Sequence, residues 1–273
     1  MNSLSGKIVV ITGASSGIGK ECAFAFAKEN SITVLAARQE NKLTDVAENI
    51  RKTGKEVMIV KTDVKDEQDC KNLIEKTVEK FGRIDVLINN AGISMRALFA
   101  NLELKVLKEL MDVNFWGSVY CTKYALPFLL QSKGTIVAVS SILGKIPSPG
   151  RTGYCASKYA MEGFFDALRL ELLKKEVRVL TVRPGFTATE VRANALDAKG
   201  TPQGKSPLKE EGMMSPQAVA KKIVKAIKCR RRAVNISTET KALVQLNKFS
   251  PSLVDRIVYY AILKEPGSPL KDK

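Results

Sequence analysis

The beginning of the chain combines an apolar run, a glycine-rich turn and a helical pattern, and this order restricts the fold more than any other feature. Residues 7–12 (Lys-Ile-Val-Val-Ile-Thr) form a continuous apolar run of strand length. The turn that follows reads Gly13-Ala14-Ser15-Ser16-Gly17-Ile18-Gly19, and a helical pattern then continues to about Lys28. Glycines let a backbone approach a pyrophosphate, and a helix N-terminus offers free N–H groups. An ordinary glycine turn is the alternative, but three glycines between a strand and a helix favour a phosphate-binding loop.

Strand-like and helical patterns alternate along the rest of the chain. Strands are predicted at residues 32–37, 57–60, 86–88, 136–139, 177–182 and 233–236, and helices at 43–52, 67–81, 104–130, 153–173 and from 216 onward. Repeated strand–helix units predict an α/β fold, a single Rossmann domain with a doubly wound parallel sheet of about seven strands. We assign this domain to residues 1–236, and to residues 237–273 a helical extension that packs on it.

Composition excludes several classes of protein. The chain of 273 residues is 45% hydrophobic and 26% charged, which suits one large domain with a substantial core. No apolar run approaches the roughly 20 residues of a membrane span, and the N-terminus shows no apolar signal segment. Five scattered cysteines without a C-x-x-C pair favour a cytoplasmic location over a disulfide framework. Because the chain has no histidine, Ser-His-Asp and Cys-His chemistry is excluded and no metal site is expected.

The end of the second predicted strand carries a base where a dinucleotide fold contacts the adenosine ribose. The sequence there reads Ala36-Ala37-Arg38 and contains no acidic residue. An acid at this place binds the ribose 2′-hydroxyl, whereas an arginine accommodates a 2′-phosphate. We therefore expect NADP(H) rather than NAD(H), with a solvated loop arginine as the alternative. Asp63 and the run from Asn89 to Gly92 follow other strands and fall on the same expected ligand edge.

A tyrosine and a lysine four residues apart lie in the predicted helix 153–173. Tyr154 and Lys158 share one face of that helix. An ammonium beside a phenol favours the phenolate, so we expect a lowered pKa for Tyr154 and proton exchange with an alcohol or carbonyl oxygen. Ser141 follows an apolar strand and is placed to hydrogen-bond the same oxygen. Any surface helix can carry Tyr-x-x-x-Lys, so the pair predicts chemistry only together with the rest of the chain.

Asn114 lies inside the long predicted helix 104–130, between apolar neighbours. Asparagine is a mediocre helix former, so its presence there needs a reason. It is either a satisfied buried amide or part of a site, and spacing alone does not decide between the two.

Together these motifs resemble the short-chain dehydrogenase/reductase family over residues 5–236. The turn at residues 12–19 matches the family's cofactor loop, and Asn89-Asn90-Ala91-Gly92 matches its signature after the fourth strand. Asn114, Ser141, Tyr154 and Lys158 match its catalytic four, and residues 184–189 match the segment that contacts the nicotinamide.

The resemblance implies an oxidoreductase that exchanges a hydride between NADP(H) and a ketone or secondary alcohol. Tyr154 is then the proton donor and acceptor, and Lys158 lowers its pKa and holds the nicotinamide ribose. Ser141 orients the substrate oxygen, and Asn114 helps relay protons through water. The implied cofactor contacts are Gly13, Ser15, Ser16, Gly17, Ile18, Gly19, Arg38, Asp63, Val64, Asn90, Ala91, Gly92, Tyr154, Lys158, Pro184, Gly185, Thr187 and Thr189. A homodimer or homotetramer, paired through the helices of Asn114 and Tyr154, is implied as well.

The tail beyond residue 236 is longer than the minimal family core and loosely resembles the 3-ketosphinganine reductases and the 11β-hydroxysteroid dehydrogenase group. Phe186, Val191, Met213 and Met214 indicate an apolar pocket, so we expect a lipid- or steroid-like substrate and a role in lipid metabolism. The connection 190–214 is typical of a lid or a disordered segment.

The net charge of +16 attracts polyanions without choosing among them. The basic run 221–232 and the apolar run 254–263 predict peripheral contact with an anionic membrane; the alternative is a tail packed on the protein and a solvated basic face. No nucleic-acid motif or aromatic interleaving accompanies the basic residues, so no nucleic-acid binding is expected. The rival function is a non-catalytic NADP(H)-binding scaffold, because a fold does not fix a function.

Overall fold

Seven parallel strands form one sheet in the computed structural model, which describes residues 3–204 and 212–271. The strands are β1 (Ile8–Thr12), β2 (Ile32–Ala37), β3 (Val57–Lys61), β4 (Val86–Asn89), β5 (Thr135–Val139), β6 (Arg178–Arg183) and β7 (Ala233–Asn235). Their order across the sheet is β3-β2-β1-β4-β5-β6-β7. The predicted doubly wound α/β fold is confirmed.

Helices pack on both faces of the sheet, and the last two of them follow the final strand. They are α1 (Gly17–Lys28), α2 (Glu40–Arg51), α3 (Glu67–Phe81), α4 (Leu104–Met111), α5 (Gly117–Ser132), α6 (Thr152–Glu171), α7 (Pro216–Lys228), α8 (Thr238–Phe249) and α9 (Pro251–Lys264). Ser215 caps α7 by accepting a hydrogen bond from the backbone N–H of Ala218, and proline fills the first helical position.

The central strands are buried on both faces, which explains why they read as continuous apolar runs. All five residues of β1 are buried, and Val10 pairs with Val34 of β2 on one side and with Leu87 of β4 on the other. The order of the chain reverses at β1. A sheet of this kind binds ligands in the crevice beyond the carboxyl ends of the strands at such a reversal, here β1 and β4.

Two apolar cores, one on each face of the sheet, hold the helices in place. Phe26 of α1 belongs to the core shared with α2 and α7, and Phe165 of α6 to the core shared with α3 and α5. Both phenyl rings are fully buried, and each burial contributes about 1.5–3 kcal/mol. Met161 and Leu168 share the buried face of α6 with Phe165, which fixes the orientation of this helix.

The long helix that carries Asn114 is interrupted, whereas the sequence predicts one continuous helix over 104–130. The α4 helix passes through a π-helical turn at Asp112–Trp116 before it continues as α5. Such turns concentrate at functional sites. Gly117 follows at once, and an added Cβ there would lie 2.8 Å from Val64 Cβ, so only glycine lets α5 approach the end of β3 this closely.

The C-terminal helices pack on the loop after β5. Val244 of α8 and Val254 of α9 form a small buried cluster with Ile146. In the connection 190–214, Leu196 forms an isolated β-bridge with Met95. Residues 205–211 of this connection lie outside the described ranges. Within residues 3–204 and 212–271, no helix has the length and apolar character needed to cross a bilayer.

Candidate active site

The glycine-rich turn after β1 is shaped by close backbone contacts. Gly13 and Gly17 have φ angles of 65° and 53°, in the left-handed region that favours glycine. A Cβ added at Gly19 would lie 2.2 Å from the Gly13 carbonyl oxygen, so no side chain fits there. Ser16, at the N-terminal cap of α1, makes no side-chain capping bond, which leaves the first N–H groups of the helix available for an anion. The turn therefore fits the diphosphate of a dinucleotide.

Thr12 and Asn90 fasten this turn to the end of β4. Thr12 Oγ1 accepts hydrogen bonds from the backbone N–H groups of Asn90 and Ala91 at 3.0 and 3.1 Å. Asn90 Nδ2 in turn donates to the carbonyl oxygens of Thr12 and Gly13 at 2.9 and 3.2 Å. The Asn90 side chain thus shapes the turn from inside the protein, a role for which spacing in the sequence gave no signal.

Three predicted adenosine contacts follow β2 and β3, the two strands on one side of β1. Arg38 follows β2 directly, and its side chain is exposed at the carboxyl edge of the sheet. Asp63 and Val64 follow β3, where the Asp63 backbone N–H donates to Asp69 Oδ2 at 2.9 Å and Val64 is buried. The structure therefore places all three at neighbouring strand ends on one edge.

Asn114 is a fully buried amide whose hydrogen bonds are made within the protein. Its Nδ2 donates to the Ile93 carbonyl oxygen at 3.0 Å and to Ser157 Oγ at 2.9 Å, and its Oδ1 accepts from the Ile93 N–H at 2.8 Å. These bonds tie the loop after β4 to α6. A Cβ added at Gly92 would lie 3.1 Å from Asn114 Oδ1 and 3.5 Å from Lys158 Nζ, so the amide also adjoins the lysine.

Tyr154, Lys158 and Ser141 come together at the carboxyl end of β5. Lys158 is buried, and its Nζ donates to the Val139 carbonyl oxygen at 3.0 Å and lies over the Tyr154 ring, 5.8 Å from the centroid. The Ser141 hydroxyl accepts a hydrogen bond from the Leu143 N–H at 3.1 Å, and it lies near enough to the Tyr154 phenol to favour the phenolate. A substrate oxygen placed at this phenol would therefore meet a hydroxyl donor and a nearby ammonium.

Burial controls the titration of this cluster. It raises the pKa of the Tyr154 phenol, although the Ser141 hydroxyl and the Arg151 charge act in the opposite direction. The sequence-based expectation of a lowered Tyr154 pKa is therefore wrong, because desolvation outweighs the nearby charges. Burial also lowers the pKa of Lys158 to about 8, and the Glu162 charge opposes this effect. At neutral pH the phenol is protonated and most of the lysine is charged.

The segment after β6 runs between the glycine-rich turn and the loop of Ser141. A Cβ added at Gly17 would lie 3.3 Å from Thr189 Cγ2, which shows how closely the segment approaches the turn. The Ile142 N–H donates to the Pro184 carbonyl oxygen at 3.0 Å, which ties the start of the segment to the loop after β5. The predicted contacts from Pro184 to Thr189 thus adjoin both the glycine-rich turn and the loop of Ser141.

Apolar side chains surround the tyrosine on the side of the long connection. Tyr154 packs against a buried cluster that includes Met95, Leu110 and Leu196. Phe186, in the segment after β6, is 63% exposed, and its ring centroid lies 4.7 Å from Arg192 Cζ. An apolar surface therefore borders the phenol.

Arg151 was not singled out from the sequence, although it lies three residues before Tyr154. Its Nη1 donates to Ser94 Oγ at 2.8 Å and to the Met95 carbonyl oxygen at 2.9 Å. Its positive charge favours the phenolate form of Tyr154. The sequence shows an arginine close to the tyrosine, but it does not show that the arginine side chain lies toward the site.

Glu162 is a second residue near the site that the sequence motifs do not identify. It is buried one helical turn after Lys158, and its two carboxylate oxygens bind Arg183 Nε and Nη2 at 2.7 and 2.6 Å. A carboxylate on the apolar face of α6, between Met161 and Phe165, was the signal that could have revealed it.

Comparison with known proteins identifies the family of the chain. Residues 7–200 match the family described as short chain dehydrogenase. The chain belongs to the short-chain dehydrogenase/reductase family. Among its relatives, 11-beta-hydroxysteroid dehydrogenase A of Sesamum indicum is 34% identical over 281 residues, which cover 98% of this chain and 79% of that protein. The predicted family and the likeness to the 11β-hydroxysteroid dehydrogenase group are confirmed.

Two solved structures of other proteins share the fold. A short chain dehydrogenase/reductase from Burkholderia phymatum in complex with NAD has a TM-score of 0.83 and 25% identity, over 93% of this chain and 96% of that one. An alcohol dehydrogenase from the archaeon Thermococcus sibiricus, complexed with 5-hydroxy-NADP, has a TM-score of 0.74 and 27% identity, over 84% and 95% of the two chains. One structure thus holds NAD and the other an NADP derivative.

Proposed function

We propose that this member of the family is an NADP(H)-dependent oxidoreductase that interconverts a ketone and a secondary alcohol on an apolar, lipid- or steroid-like substrate. The observation that carries the proposal is the meeting of Tyr154, Ser141 and Lys158 at the end of β5. A turn that fits a diphosphate lies at the end of β1 in the same sheet. Family membership supports the reaction class.

The residues present fit NADP(H). The N–H groups at the start of α1 would hold the diphosphate, and the glycines from Gly13 to Gly19 leave room for it. Arg38 would bind the 2′-phosphate, because an arginine, and not an acid that would bind a free ribose hydroxyl, directly follows β2. Asp63 and Val64 would lie along the adenine, and Lys158 would hold the nicotinamide ribose. When bound, the cofactor supplies a hydride to the substrate carbon in reduction and accepts it in oxidation.

The proton moves at the Tyr154 hydroxyl. In ketone reduction the protonated phenol gives its proton to the carbonyl oxygen, and in alcohol oxidation the phenolate takes it back. Ser141 donates a hydrogen bond to the same oxygen and so stabilises the negative charge that develops there. The Lys158 ammonium stabilises the phenolate that is left. Asn114 holds the loop after β4 against α6, and its part in a proton relay stays a prediction.

The proposal of an apolar substrate rests on the surroundings of the phenol. Tyr154 borders the cluster of Met95 and Leu196, and Phe186 and Val191 expose apolar surface on the segment after β6. The relative from Sesamum indicum carries the name of a steroid dehydrogenase, which supports a large apolar ketone or alcohol.

A carbonyl panel tests the proposal. NADPH oxidation is followed by the loss of reduced-nicotinamide absorbance with small diketones, steroid ketones and long-chain 3-keto lipids, and NADH is run in parallel. Turnover of the large ketones with NADPH is expected. Turnover of small carbonyls alone would contradict the apolar substrate, and activity with NADH alone would contradict the role of Arg38. NADPH binding without turnover of any member would favour the non-catalytic scaffold.

We also propose peripheral contact with anionic membranes through α9. Leu253, Ile257 and Tyr260 recur at helical spacing and are 46%, 43% and 59% exposed, while the neighbouring Val254 is fully buried. Phe249, the last residue of α8, is 85% exposed. An apolar stripe on a chain of net charge +16 suits an anionic bilayer surface. Flotation with anionic vesicles at low salt tests this contact; absence of binding would contradict it.

The proposed homo-oligomer pairs through α4–α5 and α6. Phe115, Trp116, Tyr120 and Phe164 form an aromatic cluster on these helices, with Trp116 43% exposed. Aromatic side chains of this kind are enriched in protein interfaces. Size-exclusion chromatography with light scattering is expected to give a dimer or tetramer, and Trp116→Glu to give monomers; a monomeric wild type would refute the pairing.

A further inference from the structure

A buried ionic cluster lies directly behind the candidate site and takes no part in the proton transfer described above. Glu162 of α6 has a side chain only 2% exposed, and both of its oxygens bind Arg183, the last residue of β6. Lys145, in the loop after β5, adds a third charge, with its Nζ 3.2 Å from Glu162 Oε2. Together the cluster consists of one carboxylate and two cations.

This cluster joins the three segments that carry the candidate site. Glu162 lies on the helix of Tyr154 and Lys158, Arg183 precedes Pro184, and Lys145 lies in the same loop as Ser141. The packing between them leaves no space: a Cβ added at Gly144 would lie 3.1 Å from both Glu162 Cγ and the Lys158 carbonyl oxygen. A shift of the carboxylate would therefore move the loop of Ser141 and the end of β6 relative to α6.

A buried ion pair is a poor device for stability alone, because desolvation of the charges cancels much of their attraction. Apolar residues of similar size would fill the same space at less cost. We propose that Glu162 is a positioning residue of the candidate site: its carboxylate holds the Ser141 loop and the end of β6 against α6 and places a negative charge one helical turn from Lys158. The inference rests on the proposed function, because it assigns Lys158 a role at the cofactor.

The charged groups around Lys158 predict the direction in which each substitution shifts the pKa of Lys158. Glu162, one turn further along α6, is the negative charge that opposes the desolvation of Lys158. Arg183 of β6 and Lys145 of the loop after β5 neutralise that carboxylate. From the loop after β4 and the π turn, Gly92 and Asn114 contribute no charge. Loss of Glu162 therefore disfavours the ammonium of Lys158, whereas loss of either cation favours it.

NADPH binding as a function of pH tests the inference without relying on turnover. Affinity, measured by nicotinamide fluorescence, is expected to fall in the wild type around the pKa of Lys158, about 8. Glu162→Gln is expected to move this midpoint by about one pH unit toward acid, and Arg183→Gln to move it toward alkali. The double variant Glu162→Gln/Arg183→Gln, which leaves no uncompensated charge in the pair, is expected to return it near the wild-type value. Glu171→Gln, at the exposed end of α6, is the matched control.

Opposite shifts are the result that a purely structural role would not give. A midpoint in Glu162→Gln equal to that of Glu171→Gln, or shifts of the same sign in Glu162→Gln and Arg183→Gln, would overturn the inference. If either single variant fails to fold, Lys145→Gln takes its place as the test, since the Lys145 side chain is 35% exposed. The inference requires the midpoint of NADPH binding in Lys145→Gln to move toward alkali. A wild type that does not bind NADPH, or a Lys158→Met variant with an unchanged midpoint, would count against the proposed function itself.

Discussion

Replacement of Lys158 by methionine is expected to stabilise the cofactor-free protein near pH 7. Burial lowers the pKa of Lys158 from 10.5 to about 8, which corresponds to about 3 kcal/mol because one pH unit is worth about 1.36 kcal/mol. Methionine has a similar length and carries no charge to desolvate. It loses the hydrogen bond to the Val139 carbonyl oxygen, worth about 1 kcal/mol. The net gain in the free energy of unfolding at pH 7 is therefore about 2 kcal/mol, or about 5 °C in Tm.

The sign of the pH dependence separates this explanation from a simple packing effect. Between the folded pKa of about 8 and the unfolded value of 10.5, the unfolded chain binds more protons at Lys158 than the folded protein does. Wild-type stability therefore rises with pH in this window, and Lys158→Met lacks that contribution. The difference in the free energy of unfolding between Lys158→Met and the wild type should be largest below about pH 8 and disappear by about pH 10.

Urea unfolding without cofactor, repeated across this pH range, measures the difference. Lys174→Met, at an exposed lysine at the end of the same helical region, is the control and is expected to change the stability little. A Lys158→Met variant that is less stable than the wild type at pH 7, with the same pH dependence, would refute the reasoning.

Three further substitutions test the cofactor turn and the site. Arg38→Glu is expected to weaken NADPH binding by about 10- to 100-fold and NADH binding far less, measured by fluorescence titration, because the 2′-phosphate loses a charged partner. Gly19→Ala is expected to weaken NADPH binding and cost about 1–3 kcal/mol in urea unfolding, since its Cβ would lie 2.2 Å from a carbonyl oxygen; Gly163→Ala, where nothing lies within 4 Å, should not destabilise. Ser141→Ala is expected to lower kcat by about 100- to 1000-fold and to raise the pKa of Tyr154 in the pH profile of alcohol oxidation. Unchanged cofactor preference, tolerance at Gly19 or an unchanged pH profile would each contradict the corresponding assignment.

Most of the fold follows from local patterns because local chemistry decides it. The α3 helix begins and ends where the sequence predicts, since Asp66 caps its first turn and Gly82 adopts a left-handed φ of 72° at its end. The central strands are buried on both faces, so their apolar runs are unbroken. The order of strands then places Ser141, Asn114 and the glycine-rich turn along one edge.

What the sequence did not predict depends on contacts between distant segments. The π turn at Asp112–Trp116 has no composition that distinguishes it from a regular helix. The raised pKa of Tyr154 reflects its burial, which the spacing of Tyr154 and Lys158 does not contain. The partnership of Glu162 and Arg183 joins residues 21 positions apart, and it exists only once β6 lies beside α6.

Tyr154→Phe offers the most direct test of the central claim, that this phenol is the proton donor and acceptor of an NADP(H)-dependent oxidoreductase. The substitution removes one hydroxyl and leaves the apolar packing of the ring against Met95 and Leu196 in place. The measurement is kcat for the best ketone of the panel together with the Kd for NADPH, on wild type and variant side by side. The account predicts that kcat falls by about 1000-fold or more while Kd changes by less than about threefold. Turnover that persists at the wild-type rate would show that another group carries the proton.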